Sequence, residues 1–472
     1  MSRRCVLALD QGGHASRALL FDSAGTVLAR AERRIATRRE GRDRVEHAPQ
    51  AVLRSLRQAA EAAIAMLPPD TEIQAAALAT QRSSIACWDR RNGRPLSPVF
   101  SWQDRRAARQ VAALVAHTQE VRRLTGLVLS PHYGASKIAW CLRHLPEVRQ
   151  AMRRGHLAAG PLASYLVAGL TEERVCVADP VNGARTQLMD IRRGEWSAKL
   201  CGLFGVPQEI LPDCVPNHHR FGTLRLAGRT LPLTVVTGDQ PAALFARGEP
   251  ERGIAYINIG TGAFVQALSE RRVPDLLQSL LWRDPKRGTL FALEGTVNGA
   301  GAALDAAAAQ FGMRPAAALR LLPASLAAAE EPPLFLNGVG GLGAPYWQPH
   351  FRSRFIGRGD AGQKLAAAVE SVVFLLHANL RRMQGAGMAF RRIQVSGGLA
   401  QLDGLCQRLA DLAGLPVERP EMHEATALGL AWLMDGLERA PQRTGTHFEP
   451  HDNGWLTARE RRWQRALHAS LA

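Results

Sequence analysis

Aromatic side chains are sparse in this sequence, at 6% of 472 residues, and acidic ones are outnumbered, 42 Asp and Glu against 59 Lys and Arg. Cysteine is scarcer still: seven residues, at positions 5, 87, 141, 176, 201, 214 and 406, with no Cys-x-x-Cys pair among them. That spacing excludes a thiolate zinc site and a disulfide framework, and predicts buried, reduced thiols. Long apolar runs are absent too. None reaches the ~18 residues that a membrane-spanning helix takes, and no apolar segment of the signal-peptide kind follows Met1-Ser-Arg-Arg4. The expectation is a cytoplasmic protein with no membrane partner. The basic excess gives a net charge of +17, which attracts nucleotides, nucleic acid or acidic surfaces. Yet the arginines are dispersed in pairs such as Arg33-Arg34, Arg105-Arg106, Arg271-Arg272 and Arg461-Arg462, beside Ala and Leu, without interleaved aromatics. Solvated helix faces account for that pattern, and no nucleic-acid partner is expected.

What is present begins with the stretch Val6 to Asp22. Two apolar runs, Val6 to Leu9 and Ala18 to Phe21, flank a polar turn containing Gly12 and Gly13, which reads as a hairpin of buried strands. Uncovered N–H groups at such a turn form a concavity for phosphate, and Asp10 at the strand end offers a hard oxygen ligand to Mg2+. Taken alone, Asp-x-Gly is more often ordinary turn chemistry. A third strand is expected over 24–30, a helix over 49–67 and a strand over 73–80 that delivers Gln81-Arg82-Ser83-Ser84 to a loop. A later strand, 233–237, ends at Gly238-Asp-Gln-Pro241, with a helix expected over 242–246. From Gly253 the opening pattern recurs: strand, glycine turn, strand through Leu268. The length suggests roughly two to four domains. The repeat suggests two related halves, placed at 1–243 and 244–472.

These motifs together resemble the FGGY family of carbohydrate kinases, and most of all its glycerol kinase branch. The resemblance rests on Leu9-Asp-Gln-Gly12, Val45-Glu-His-Ala-Pro49, Thr80-Gln-Arg82, Ser101-Trp-Gln-Asp-Arg-Arg106 and Gly238-Asp-Gln240 in the first half. In the second half it rests on Ile259-Gly-Thr-Gly262, Ala292-Leu-Glu-Gly295, Gly341-Leu-Gly-Ala-Pro-Tyr-Trp347, Ser396-Gly-Gly398, Val417-Glu-Arg-Pro420 and Thr426-Ala-Leu-Gly429. It implies an α/β fold of two ribonuclease-H-like, actin- or hexokinase-type domains across a deep cleft. The first would carry the acceptor site, the second the adenosine. It also implies an ATP-dependent kinase with Mg2+ for a small polyol or sugar. Asp239 matches the general base and Asp10 the metal contact. Arg82, Ser83, Trp102, His132, Asp239 and Gln240 match the acceptor contacts. Gly12, Gly13, His14, Ser16, Arg17, Gly260, Thr261, Gly262, Gly397, Gly398 and Asp403 match the ATP site. A homo-oligomer, dimer or tetramer, is the assembly the resemblance suggests.

The chain departs from the family's glycerol-specific pattern at several positions. Ser83 stands where those members carry a glutamate that grips two substrate hydroxyls, and His132 stands for a tyrosine. Gly13 and His14 replace two threonines, Asp403 replaces an asparagine, and Gly134 lies where Ser, Thr or Pro is usual before Lys137. Losing the carboxylate takes on the order of 2–4 kcal/mol from polyol binding. A serine hydroxyl and an imidazole suit instead an acceptor with a carbonyl or ring oxygen at that end. Trp102 reads equally as core or as substrate platform, Trp347 as packing, and Glu294 as an orienting group or a strand-end ion pair. A non-catalytic nucleotide-binding regulator of the same fold is the alternative that the altered acceptor residues leave open.

Overall fold

The structure, a computed structural model, describes residues 4–41, 43–328, 331–421, 424–438 and 444–471. Its core is built from two compact units, and these interleave along the chain. The first takes Met1–Pro250, Ser279–Phe291 and the described part of His423–Gln442; the second takes Glu251–Gln278, Ala292–Met422 and the described part of Arg443–Ala472. The division expected at 243/244 is a contiguous one. The hairpin tip 279–291 and the helix Ala425–Leu433 instead belong with the first unit, because their apolar residues Trp282, Ala427, Leu430 and Ala431 join Val6, Ala8, Leu19 and Phe21 in one buried cluster.

In the first unit the largely apolar character of Arg4–Gln11 and Ala15–Phe21 makes them central strands, buried on both faces except at Arg4 and the half-buried Arg17. They form an antiparallel hairpin, extended by Val27–Arg34. On the other side Arg4–Gln11 pairs in parallel with Glu72–Thr80, which pairs in parallel with Arg229–Gly238. The register aligns Gln11 with Thr80, and Thr80 with Gly238. Three neighbouring strands therefore end together, which delivers Asp10, Gln81-Arg82 and Asp239 to one sheet edge. Helix Pro49–Ile64 covers the sheet with Val52, Leu56, Ala59, Ala60 and Ala63, an apolar stripe at helical spacing.

The second unit repeats this pattern. Strands Ile254–Ile259 and Ala263–Leu268 pair antiparallel, and Gly288–Val297 adds to the latter over 292–297. Arg392–Ser396 and Val417–Pro420 then follow in parallel on the other side. The same order and directions in both sheets bear out the internal repeat. A further sheet in the first unit runs through Arg38–Glu40, Arg44–His47, Val99–Phe100, Ile85–Asp89 and Leu157–Pro161, and the segments that connect its strands carry Trp102 and His132.

Element boundaries differ from expectation where local chemistry intervenes. The third strand starts at Val27, because Asp22 Oδ1 accepts from the N–H groups of Ala24 and Thr26 and closes a turn with Gly25 at φ +83. The helix expected from 242 begins at Asp239 itself, with Pro241 tolerated in its first turn, where no intrahelical N–H is required. Among the described residues no helix is long and apolar enough to cross a membrane, and all seven cysteines are free thiols.

Candidate active site

Asp10 occupies the end of the central strand and is 6% exposed. Its Oδ2 lies 3.4 Å from Arg17 Nη1, across the hairpin register that pairs the two residues. Burial pushes its carboxyl up to about 7, with Asp239 and Glu424 adding to the rise and Arg17 opposing it. Glu424 was not singled out in the sequence. It takes a left-handed backbone, φ +66, before helix Ala425–Leu433 and lies 3.4 Å from Arg30 and 4.0 Å from Arg17. Alternation along the strand sends Ser16 the other way, where its hydroxyl is 2.8 Å from that of Ser55 under the covering helix. The hydroxyl of Ser16 is thus committed to packing, whereas Arg17 faces Asp10. At the turn, Gly12 N–H donates to Ala15 O at 2.9 Å and His14 is exposed. A Cβ on Gly13 would meet nothing closer than Gln81 Oε1 at 3.7 Å, so the threonine of the family pattern would fit here.

The oxygen-only donors, Asp10 with Asp239 and Glu424 close by, fit Mg2+, which prefers hard ligands. Like-charge crowding of buried carboxylates is relieved by a divalent cation. Among the described residues no group of three His, Cys, Asp or Glu side chains is arranged as a metal cage. That suits an ion that keeps waters and leans on phosphate oxygens.

Beside Asp10, the carbonyl of Gln11 accepts from Gln81 N–H at 2.9 Å, so the loop after Thr80 is tied to the end of the first strand. The Arg82 stem lies over Gly238, where a Cβ would sit 2.6 Å from Arg82 Cδ, and its Nη2 donates to Gln240 Oε1. Asp239 opens its helix, and its Oδ1 accepts from Gln240 N–H at 2.7 Å. Burial raises the Asp239 carboxyl, while Arg82 and Arg185 pull it back. Its helix is fixed by Gly429, where a Cβ would fall 1.8 Å from Ala242 O, and by Thr426 Oγ1 donating to Asp239 O at 3.4 Å. The Thr426–Gly429 motif thus acts in the first unit, on the helix that carries Asp239.

Ser83 is buried at φ +64, a backbone that L side chains rarely adopt. Lys137 explains how it is held. Its ammonium, 0% exposed, donates to Ser83 O at 3.1 Å, Ser101 O at 2.8 Å and His132 O at 2.7 Å. One side chain thereby ties together the loops that bear Ser83, Trp102 and His132, although burial pushes its own pKa well down. Trp102, 36% exposed, faces His132 with ring centroids 5.5 Å apart. Burial holds the His132 imidazole neutral, with Arg105, Lys137, Arg185 and Arg82 all acting in the same direction. Asp104 and Arg106 are structural. Arg106 pairs with Asp104 at 2.7 Å and Glu46 at 2.6 Å and lies 3.9 Å over Phe100, while Asp104 also accepts Val45 N–H at 2.8 Å. Arg185 escaped the sequence reading, and only the fold brings it to Asp239 and His132.

In the second unit the turn Gly260-Thr-Gly262 sits on helix Gly301–Ala309. Gly260 O accepts from Gly301 N–H at 2.9 Å, and Thr261 O accepts from the N–H groups of Ala300 and Ala302 at 2.9 and 3.0 Å. Gly262 is closely packed, a Cβ there lying 3.0 Å from Val297 O, and Gly397 is required, at φ +96 with Ile259 O 2.5 Å from a would-be Cβ. Gly398 faces open space. Asn258 Nδ2 bonds Ser396 Oγ at 3.0 Å, which places the glycines after Ser396 beside those after Ile259. Asp403 starts its helix and pairs with Arg419 at 2.7 Å. Glu294 lies inside a strand and accepts from Gln266 at 2.9 Å. Trp347 packs on the core and donates to Asp275 O at 2.7 Å.

The model of the FGGY family of carbohydrate kinases, N-terminal domain, matches residues 5–246, and that of its C-terminal domain matches 255–434. A glycerol kinase of Cereibacter sphaeroides (strain KD131) is 35% identical over 491 residues, with 99% of each chain covered. One of Rhodospirillum rubrum is 37% identical over 469 residues, with 94% of each covered. Among solved structures, Plasmodium falciparum glycerol kinase with ADP superimposes with TM-score 0.88 at 21% identity, covering 100% of this chain and 99% of that one. Xylulose kinase from Rhodospirillum rubrum does so with TM-score 0.87 at 23% identity, covering 99% of each. At those identities the structures speak for the fold.

Proposed function

Because the chain belongs to the FGGY family of carbohydrate kinases, with its two-domain fold, and is an ATP- and Mg2+-dependent phosphotransferase acting on an alcohol group of a sugar or polyol, we propose how its own residues divide that work. Asp239 takes the proton of the attacking hydroxyl. Its carboxyl is raised by burial, which moves a weak base towards the working pH, and Arg82 and Arg185 keep it from being neutralised outright. Arg82 orients the acceptor together with Gln240, to which it donates. Trp102 and His132 form one wall and Ser83 another, all held in place by Lys137.

Mg2+, when bound, supplies charge neutralisation on the phosphates, and Asp10 would hold it. Arg17, beside Asp10 and Glu424, meets a phosphate oxygen, as do the backbone N–H groups of Gly13 and His14, while Gly12 shapes the turn by donating its own N–H to Ala15 O. Ser16 contributes through its backbone alone, its hydroxyl being engaged with Ser55. In the second unit Gly260, Thr261 and Gly262 serve the triphosphate, and Gly397, Gly398 and Asp403 the adenosine. The acceptor half is thus assigned to 1–243 and the nucleotide half to 244–472, with the helix Ala425–Leu433 lent to the first. The reaction is placed in the cytoplasm, where ATP, Mg2+ and reduced thiols coexist, and the assembly is a homo-oligomer.

The observation that carries this reading is the common strand-end register that sets Asp10, Arg82 and Asp239 side by side. ADP release from Mg·ATP, measured with glycerol and other trioses, tetritols, pentitols and ketopentoses, tests it. A hydroxylated acceptor should raise ADP release at least a hundredfold over the acceptor-free rate. A rate indifferent to every acceptor would refute the roles assigned here.

A further inference from the structure

Gln81 stands between the strand Glu72–Thr80 and the acceptor residue Arg82, and the roles assigned so far leave its side chain unused. It is 3% exposed, and its backbone N–H is already bonded to Gln11 O. A short relay orients its amide. Gln11 Nε2 donates to Gly12 O at 2.5 Å, so Gln11 offers its Oε1 to a neighbour, and Gln81 Nε2 donates to that oxygen at 3.4 Å. The oxygen of the Gln81 amide then points away from Gln11. This Oε1 is buried and finds no partner among the described residues.

It lies against the hairpin turn. A Cβ on Gly13 would sit 3.7 Å from Gln81 Oε1, with no other atom outside its chain neighbours within 4 Å. A serine or threonine hydroxyl, one bond beyond that Cβ, would reach hydrogen-bonding distance of the oxygen. Glycine at 13 supplies no such O–H, and a buried amide oxygen left without one is costly. The nucleotide cannot take the role itself. Phosphate oxygens, which the N–H groups of Gly13 and His14 are assigned to meet, accept hydrogen bonds just as Oε1 does, so the two repel unless protons lie between them. A hydroxyl carries one proton and serves one of them. Water carries two.

We propose that Gln81 is a positioning residue of the nucleotide site: its Oε1 fixes a water over Gly13, and the second proton of that water bonds a phosphate oxygen. The water stands where a hydroxyl-bearing side chain would otherwise reach. This rests on the reading of the hairpin turn as a phosphate site and adds a contact to it. A bridge of this kind is nearly as favourable as a direct hydrogen bond, and it joins the nucleotide to the loop that carries Arg82.

Calorimetric binding of ADP to the full-length protein, in Mg2+ and in EDTA, tests the bridge. Gly13 lies outside the left-handed region of backbone space, so Ala and Ser can stand there without strain. Gly13→Ala covers the place of the water with a methyl and should raise the ADP dissociation constant at least threefold. Gly13→Ser differs by one hydroxyl and should bind at least twofold more tightly than Gly13→Ala. Gln81→Met keeps the length of the side chain, removes its oxygen, and should also raise the constant at least threefold. The double variant Gly13→Ala with Gln81→Met should lose no more than the weaker-binding single variant, because both changes remove the same water; a merely structural role for Gln81 would let the losses add. The losses should be alike with and without Mg2+. Additive losses, or affinities that all match wild type, overturn the inference and leave the phosphate reading standing. A Gln81→Met loss confined to Mg2+ makes Gln81 a metal contact and overturns it too. Melting curves show whether each variant folds; should Gln81→Met not fold, equal affinities of the Ala and Ser variants at 13 overturn the inference by themselves. A wild-type protein that binds no ADP overturns both readings.

Discussion

Replacing Asp239 by asparagine removes a proton acceptor and little else. The amide oxygen can still accept from Gln240 N–H, as Oδ1 now does at 2.7 Å, and the backbone carbonyl that takes the Thr426 hydroxyl is untouched. Burial already disfavours the charged form of Asp239, so the neutral isostere should not lower the melting temperature. Losing a general base takes about two to four decades from kcat, which at 1.36 kcal/mol per decade is roughly 3–5 kcal/mol of barrier. Nucleotide affinity should hold, because the ATP contacts assigned above lie elsewhere. The pH profile supplies a second readout. The Asp239 pKa is raised in the fold, so wild-type kcat/KM should fall as pH drops through that raised value and the base takes up a proton; the variant should lose that limb. The assay is steady-state ADP release over a pH series, beside calorimetric ATP binding and thermal denaturation. An Asp239→Asn protein that melts normally and turns over within tenfold of wild type would refute the assignment.

Asp10 carries a stability consequence with a definite sign. Its carboxyl is raised from 3.8 to about 7 in the fold, so between those values the folded state binds the extra proton and stability declines as pH rises, levelling off above 7. Asp10→Asn should therefore stabilise the metal-free protein by up to about 4 kcal/mol at pH 8, at 1.36 kcal/mol per pH unit, and by little at pH 4; denaturant melts at the two pH values in EDTA would show it. The same variant should weaken Mg·ATP engagement, read as loss of Mg2+-dependent nucleotide binding by calorimetry. Lys137→Met should raise KM for the acceptor at least tenfold while KM for ATP stays put, since three acceptor loops lose their shared clamp; an unchanged acceptor KM would sink the clamp. Gly134→Ala should lower unfolding free energy by roughly 1–3 kcal/mol, the usual effect of overpacking, because the new methyl meets backbone at Thr186. An unaltered denaturation midpoint would show that the segment can give way.

The boundary between what was legible and what was not follows the range of the forces involved. Val6 to Leu9 and Ala18 to Phe21 announce their hairpin because a strand buried on both faces must be apolar throughout, and the recurrence at Gly253 announces the second sheet through the same strand, glycine turn, strand pattern. Asp10, Arg82 and Asp239 were readable because each sits at the polar end of such a run. Boundaries slipped where a side chain overrode the pattern, as Asp22 does in delaying the third strand to Val27. The direction of Ser16 was there to be inferred from alternation; its hydroxyl belongs to Ser55.

By itself, then, the order of residues determined the strand ends, the glycine turns and the placing of Asp10 and Asp239 at strand ends, all of which are local consequences of hydrophobic period and turn chemistry. Only the tertiary structure decided that Arg185 comes to His132 and Asp239, that Glu424 comes to Arg17 and that Lys137 gathers the carbonyls of Ser83, Ser101 and His132. Apart from Lys137 with His132, five residues before it, each of those contacts joins segments far apart in the chain, and charge or hydrogen bonding over such separations has no periodicity to betray it. The sheet register and the close approach at Gly134 and Gly429 create them.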